Sequence, residues 1–467
     1  MNRASLATGV AGRATALMPT RRGGRPDAVG VALTAVATLA LLARLWDLAG
    51  APNTLNTDEA AALGLVARIL AGHGPGPLTL DVNGQPAAYA YLQAASMRLG
   101  GEAVWALRLP AALLGAFTVP LFYAIARQVA RPWPALGATT LFGSSVYALS
   151  LARSGWINDM ALPAELVGIW ALVEGVRRRQ FGLLCVSALA VAAAGYGYSP
   201  FRLLPLGALP LLAAGAWRGR GGRFAPVLTW LGVYALASLP LWIGLAGQGA
   251  ALAHYVAVHR IGSQLPEYPP GAPAVAILLT QLWRVAVGLV LLVPAPVGGL
   301  DLAHVPPGTW LLDPVGTLCY WLGLWFLGAR EPGAGAVRQA GEARQSSAAY
   351  AGGAEQWWWL LVVPLLVAEV PVRDSPTLHA AAAAFPLYFL VGAHGLSCLG
   401  RQLGRYRVVL VPLVVGSALV SLSTYAAWVN SPAAVEGRRL IGARPCVPTA
   451  HIVRQPCRGG PTASVGP

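Results

Sequence analysis

The chain has 467 residues, of which 56% are hydrophobic and only 11% charged, and its net charge is +15. Soluble proteins carry about a quarter charged residues, so a water-soluble multidomain protein is excluded, and apolar runs of about 20 residues make the bilayer the main solvent. The basic residues are all Arg and cluster in short loops between apolar runs. That is a topology signal on an Ala/Arg/Gly/Pro-biased background, and it sets nucleic-acid binding aside.

Residues 1–27 form a basic tail. The following apolar run, 28–46, is too long for a signal-peptide core and reads as a retained first helix. Further spans are expected at 103–126, 133–152, 160–176, 181–198, 201–217, 225–246, 313–329, 356–371, 379–399 and 406–429. The fold class is therefore an all-α polytopic membrane bundle of about eleven (11–13) helices. The run 275–294 is ambiguous, because Arg284 sits near its centre at a cost of about 2.5–3.5 kcal/mol for insertion.

Arg placement resolves it. Arg3, Arg13, Arg21, Arg22 and Arg25 put the N-terminus in the cytoplasm. Alternation then places Arg127 and Arg131, Arg177 to Arg179, and Arg218, Arg220 and Arg223 on the same side. If 275–294 spanned, the loops with Arg330, Arg338 and Arg344 and with Arg401, Arg405 and Arg407 would move outside, against the rule. The run is thus expected to be interfacial or re-entrant, and the C-terminus outside. The long loops 47–102 and 247–312 and the connections 153–159, 199–200 and 372–378 then share the outer face. Residues 330–355, rich in Gly, Ala, Arg and Gln, read as a cytoplasmic linker, and 437–467 as a polar tail. Cys185, Cys319 and Cys398 lie in apolar spans as packing residues. Cys446 and Cys457 lack the spacing of a zinc site, and would pair only in an oxidising compartment.

In the first outer loop, Asn56-Thr57-Asp58-Glu59 opens a helix. Thr57 can cap it, and the two acids complement its dipole. Leu63, Val66, Ile69 and Leu70 follow at helical spacing and lay it on the membrane surface. Two acids at a helix start are ordinary, but here they come a dozen residues after the first span, within reach of a lipid headgroup. A carboxylate there suits a general base for a hydroxyl or amine acceptor. Adjacent helical residues point about 100° apart, so one of them faces substrate: Asp58, with Glu59 in support. After a turn at Asp81–Pro86, Ala87 to Leu99 forms a second interfacial helix carrying Tyr89, Tyr91 and Gln93. Interfacial Tyr residues are usually anchors, and stacking on a sugar is the secondary reading. Arg108 reads as a snorkelling interfacial residue, and Asp159 either caps the fourth span or is a second outer-side functional acid.

The order of these features resembles the C-type multispan glycosyltransferases of the protein O-mannosyltransferase and aminoarabinose-transferase superfamily, over residues 28–436. The resemblance rests on Arg44-Leu45-Trp46, Asp58-Glu59, Gly84-Gln85-Pro86, Arg108-Leu109-Pro110 with Gly115 and Thr118-Val119-Pro120, Ala152-Arg153-Ser154, Tyr198 to Arg202, and Tyr425, Trp428 and Pro432. It implies a polyprenyl-phosphate sugar donor, a protein, lipid or glycan acceptor, and inverting transfer at the outer face with Asp58 as base. Positive groups would meet the leaving phosphate, and Arg202, His254, His259, Arg260 and Arg373 are the candidates, each with a rival reading as an interfacial or loop residue. Gln85 stands where some relatives carry a basic residue nearby, and Arg373 to His379 matches the family pattern only in part. A divalent cation at Asp58, Glu59 and Asp159 stays open, although no spacing requires one. No nucleotide-sugar motif occurs. The rival from another class is a transporter or lipid flippase, which calls for repeats and mid-membrane ionisable residues; a catalytically inactive assembly protein is the third.

Overall fold

A computed structural model describes residues 27–53, 55–80, 85–155, 158–217, 224–249, 273–285, 312–328 and 383–435. The span expected at 356–371 lies outside them. Apart from one isolated bridge between Leu80 and Pro86, the described elements are helical.

Asp27 opens α1 (Ala28–Leu45), its carboxylate accepting from the Val29 amide at 3.2 Å. Two helices of the first long loop follow, α2 (Thr57–Leu70) and α3 (Ala88–Gly100), and then α4 (Val104–Val129). A Pro at its first turn starts α5 (Pro132–Ser144), which is followed by α6 (Val146–Ala152) at a bend of 57°. Ser145 makes the bend, because its hydroxyl caps the Ala148 amide. The bend releases the Gly143 carbonyl, which accepts from buried Arg44 at 3.1 Å. The chain continues through α7 (Asn158–Arg178), α8 (Phe181–Gly197), a 3₁₀ turn at Ser199–Leu203, α9 (Leu204–Trp217) and α10 (Ala225–Gly247). Then come α11 (Ala274–Val285), α12 (Pro314–Gly328), α13 (Phe385–Leu403) and α14 (Leu410–Trp428).

Most expected spans within the described residues hold one helix, but the run 133–152 is broken into α5 and α6, and the helix of the 379–399 run begins at Phe385. By length and composition, four described helical stretches can cross a membrane, or five if the bent α5–α6 pair is one span. Leu228, Leu236, Ile243, Val411 and Leu419 are exposed on such helices, as an outer surface facing acyl chains requires. The core joins α4, α5, α6 and α13 through aromatic rings. Phe122 stacks on Phe142 at 4.5 Å, and Phe385 meets Tyr147 at 4.8 Å. Small residues set the closest approaches, since a Cβ on Gly115 would lie 2.3 Å from Ala152 Cβ.

Helix α11 has 12 residues, a length of about 18 Å, short of the roughly 30 Å hydrocarbon core. Val275, Leu279 and Trp283 are exposed, and Gln281 is buried. The remainder of the 275–294 run lies outside the described residues. Asp313, which caps α12 through the Val315 and Gly316 amides, also accepts from Ser417, in the middle of α14. Helix α12 therefore starts partway down the bundle, about 16 Å along α14 from Trp428.

Side-chain contacts sort the helix ends. Arg153, just after α6, reaches the carbonyls that end α1, and Asn430, just after α14, reaches the same loop. Gly155 meets Gln93 of α3 and Leu107 of α4. Gln248, after α10, donates to Leu80 of the first long loop. Thus the ends of α1, α6, α10 and α14 and the starts of α2 and α4 share one rim.

Candidate active site

The site grows from the start of α2. Asn56, not Thr57, is the N-cap. Its side chain accepts from the Glu59 amide at 2.8 Å, and Glu59 accepts from the Asn56 amide at 3.2 Å, closing a capping box. Thr57 is the first helical residue. The cap shifts back one position because a box needs an acid three residues on, and Glu59 stands at that distance from Asn56.

Glu59 does more than cap. It is 1% exposed and forms a two-pronged ion pair with Arg108 of α4, which is 0% exposed: Nε–Oε1 is 2.7 Å and Nη2–Oε2 is 3.1 Å. Oε1 also accepts from the Gly155 amide at 2.9 Å. Both oxygens of Glu59 are therefore occupied, and one carboxylate ties α2 to α4 and to the turn before α7. Gln93 holds the other backbone group of the same residue, donating to the Gly155 carbonyl at 2.9 Å and to the Leu107 carbonyl at 3.2 Å. Arg108 is thus not a snorkelling residue. Its third nitrogen donates to the Leu48 and Pro52 carbonyls, so all of its guanidinium is used inside the protein.

Asp58 has the opposite environment. One residue round the helix from Glu59, it is exposed. Its pKa is raised above the usual carboxylate value, first by crowding of the carboxyl among protein atoms and then by the charge of Glu59. The residue surface is open while the atoms around the carboxyl are dense.

The loop leading to this cap is held backbone by backbone. Arg153 is 0% exposed. It donates to the Ala43, Arg44, Asp47 and Ala51 carbonyls and lies over the rings of Trp46 and Tyr425 at 5.6 and 5.8 Å. Asp47 takes a left-handed conformation, with φ 41°, and its carboxylate accepts from the Gly50 amide.

The other expected site residues divide. Gln85 is half-buried beside the Leu80–Pro86 bridge, whose Leu80 carbonyl accepts from Gln248 after α10. Tyr89 is 2% exposed, with its ring inside the bundle and not at an open surface. Asp159 lies in the first turn of α7, four residues after Gly155, with its side chain outside the described residues. Arg202 is half-buried in the 3₁₀ turn, where its Nε donates to the Gly195 carbonyl. It shares a rim with Asp159, since Gly197 abuts Ala161. His254, His259, Arg260 and Arg373 lie outside the described residues. Among the described residues no three His, Cys, Asp or Glu side chains gather as metal ligands would.

Two features escaped the sequence. Arg44 and Arg153 are interior cations that hold carbonyls, and nothing in their spacing separates them from the loop Arg residues. Glu165 of α7 is fully buried, and neither carboxyl oxygen has a hydrogen-bond partner. An acid near the middle of an apolar run, away from the Glu174–Arg177 end, was the available signal.

Residues 84–243 match the family model described as dolichyl-phosphate-mannose-protein mannosyltransferase. No curated protein is similar to the chain at the sequence level. Among solved structures, ArnT from Cupriavidus metallidurans bound to undecaprenyl phosphate is 13% identical, with a TM-score of 0.51 over 89% of this chain and 76% of that one. This likeness establishes the fold. Archaeoglobus fulgidus AglB, in complex with an inhibitory peptide and a dolichol-phosphate, is 15% identical at a TM-score of 0.48 over 88% of this chain and 56% of that one. The S. cerevisiae Pmt1-Pmt2 complex bound to the sugar donor is 16% identical at 0.39, over 49% and 35%. The chain thus spans about a third of the length of the yeast protein and about half that of the archaeal one.

Proposed function

We propose that this chain, built on the fold of the C-type multispan glycosyltransferases, moves a sugar from a polyprenyl-phosphate carrier to a hydroxyl or amine of a protein, lipid or glycan acceptor at the outer membrane face. One observation carries the proposal: of two adjacent acids at the start of α2, Glu59 is locked in the interior and Asp58 is left open with a raised pKa. A capping role alone would need neither the lock nor the opening.

In this mechanism Asp58 accepts the acceptor's proton as the acceptor oxygen or nitrogen attacks the anomeric carbon. The bond from that carbon to the phosphate oxygen breaks, the configuration inverts, and polyprenyl phosphate leaves with the electron pair. Glu59 is a positioning residue that holds α2 so that Asp58 faces the rim. Gln85 and Asp159 are assigned to the sugar, and Arg202, His259, Arg260 and Arg373 to the phosphate. Arg108 and Arg153 are already committed to Glu59 and to carbonyls.

The test supplies the purified protein with labelled polyprenyl-phosphate hexoses and pentoses together with peptide, lipid and glycan acceptors. Label should move to an acceptor as free polyprenyl phosphate appears. Lipid movement across vesicles without any transfer would support a flippase instead. A cysteine placed at position 65 should react with an impermeant thiol reagent added outside; labelling only from the cytoplasmic side would overturn the orientation.

The pH profile adds a second check. The base acts ionised, so transfer falls as pH drops through the pKa of Asp58. Crowding and then Glu59 raise that pKa, so the acid limb should lie above the ordinary Asp value of about 3.9. A limb at or below that value would remove Asp58 from the role.

A further inference from the structure

We propose that Asn430, beyond the end of α14, is a positioning residue for the loop that carries Asp58. The proposal rests on the assignment of Asp58 as base, but its structural part can be tested without substrate.

From Asp47 to Asn53 the chain makes no regular structure, so its backbone groups need other partners. Arg153 takes the carbonyls of residues 47 and 51, and Arg108 takes those of 48 and 52. Both guanidiniums approach from buried positions in the bundle. The exposed side of the loop is held by Asn430. Its Nδ2 donates to the Gly50 carbonyl at 2.9 Å, and its Oδ1 accepts from the Asn53 amide at 3.0 Å. One amide side chain thus closes on donor and acceptor groups three residues apart, and the tie joins positions 377 and 380 residues apart in sequence. Nearby, the Tyr425 ring of α14 lies under Arg153, the cation that holds the buried side of the loop. Among the described residues, Asn53 is the last backbone group so held before the Asn56 cap.

Asn430 is itself exposed, so replacing it opens no cavity. Losing it frees only the outer side of the loop, which shifts the start of α2 and with it Asp58. A displacement of that kind acts on the reacting geometry more than on ground-state binding.

In Asn430→Ala, amide hydrogen exchange across residues 50–56 should quicken about tenfold while α4 and α7 exchange as before and the melting temperature holds. Transfer kcat should fall about 3–10-fold with the donor KM unchanged. Asn430→Asp keeps the acceptor for the Asn53 amide and loses the donor to Gly50, so it should fall between Ala and the native residue in both measurements. Unchanged exchange at 50–56, or an unchanged kcat in a protein whose Asp58→Asn variant is inactive, would overturn the proposal. If Asp58→Asn remains active while exchange at 50–56 quickens in Asn430→Ala, the latch stands and the assignment of the base fails.

Discussion

Asp58→Asn should lower sugar transfer by about 10²–10⁴-fold, the usual contribution of a positioned general base, while the protein stays folded. The side chain is isosteric, the residue is exposed, and the Asn56–Glu59 capping box does not involve the Asp58 carboxyl. The stability side has a definite sign. A folded-state pKa raised above the unfolded one means that the folded protein holds its proton to higher pH. The contribution of Asp58 to stability is then greatest at low pH and is lost as pH rises through the raised pKa. At neutral pH the ionised carboxylate works against the fold, crowded and beside Glu59, and Asn removes that charge. The melting temperature of Asp58→Asn at neutral pH should therefore equal or exceed that of the native protein. Initial rates with labelled donor and a thermal melt on the same preparation check both halves. Full activity would dismiss the base, and a large fall in melting temperature would show the carboxyl to be structural.

The helical architecture was legible because apolar run length and Arg placement report directly on the bilayer. The expected spans at 28–46 and 225–246 coincide with α1 and α10 to within a residue or two. The amphipathic spacing of Leu63, Val66 and Ile69 likewise marks α2. The interior polar structure was not legible. Arg108 and Arg153 look like rim cations in sequence, since a guanidinium near a span end usually reaches for water. Whether it turns inward depends on which carbonyls the fold leaves unpaired, and those belong to the loop at 47–53, far away in the chain. The capping residue is Asn56 and not Thr57 because the decisive partner, Glu59, reads in sequence as a dipole-complementing support for Asp58 and not as half of a reciprocal pair. The burial of Tyr89 was illegible for a similar reason: helical spacing does not say which face of α3 meets α4. The Asp58–Glu59 division of labour was half visible, because adjacent helical positions must diverge, but only burial shows which of them the protein keeps.

The largest stability effect is expected at Arg108→Met. The change removes the guanidinium and leaves Glu59 nearly fully buried with only the Gly155 and Asn56 amides as partners. Breaking one side of a buried ion pair costs about 3–5 kcal/mol, because the remaining charge stays desolvated. The Leu48 and Pro52 carbonyls lose their donor as well. The double variant Glu59→Gln/Arg108→Met should recover a good part of that loss. It leaves no unpaired charge, and a Gln at 59 still offers one oxygen to the Gly155 amide. Glu59→Gln alone should be intermediate in cost, since it strands a cation that keeps two carbonyl partners. Sugar transfer should not follow stability back in the double variant. The tie between α2 and α4 is gone in both variants that lack Arg108, so Asp58 is no longer held in place and kcat stays low in the double variant. Thermal inactivation midpoints compared across the four proteins give the coupling between the two residues directly. If Arg108→Met matches the native protein in stability, or if the two substitutions simply add, Glu59 and Arg108 are not the buried pair described above. If the double variant regains full transfer, the pair supports the fold without positioning Asp58.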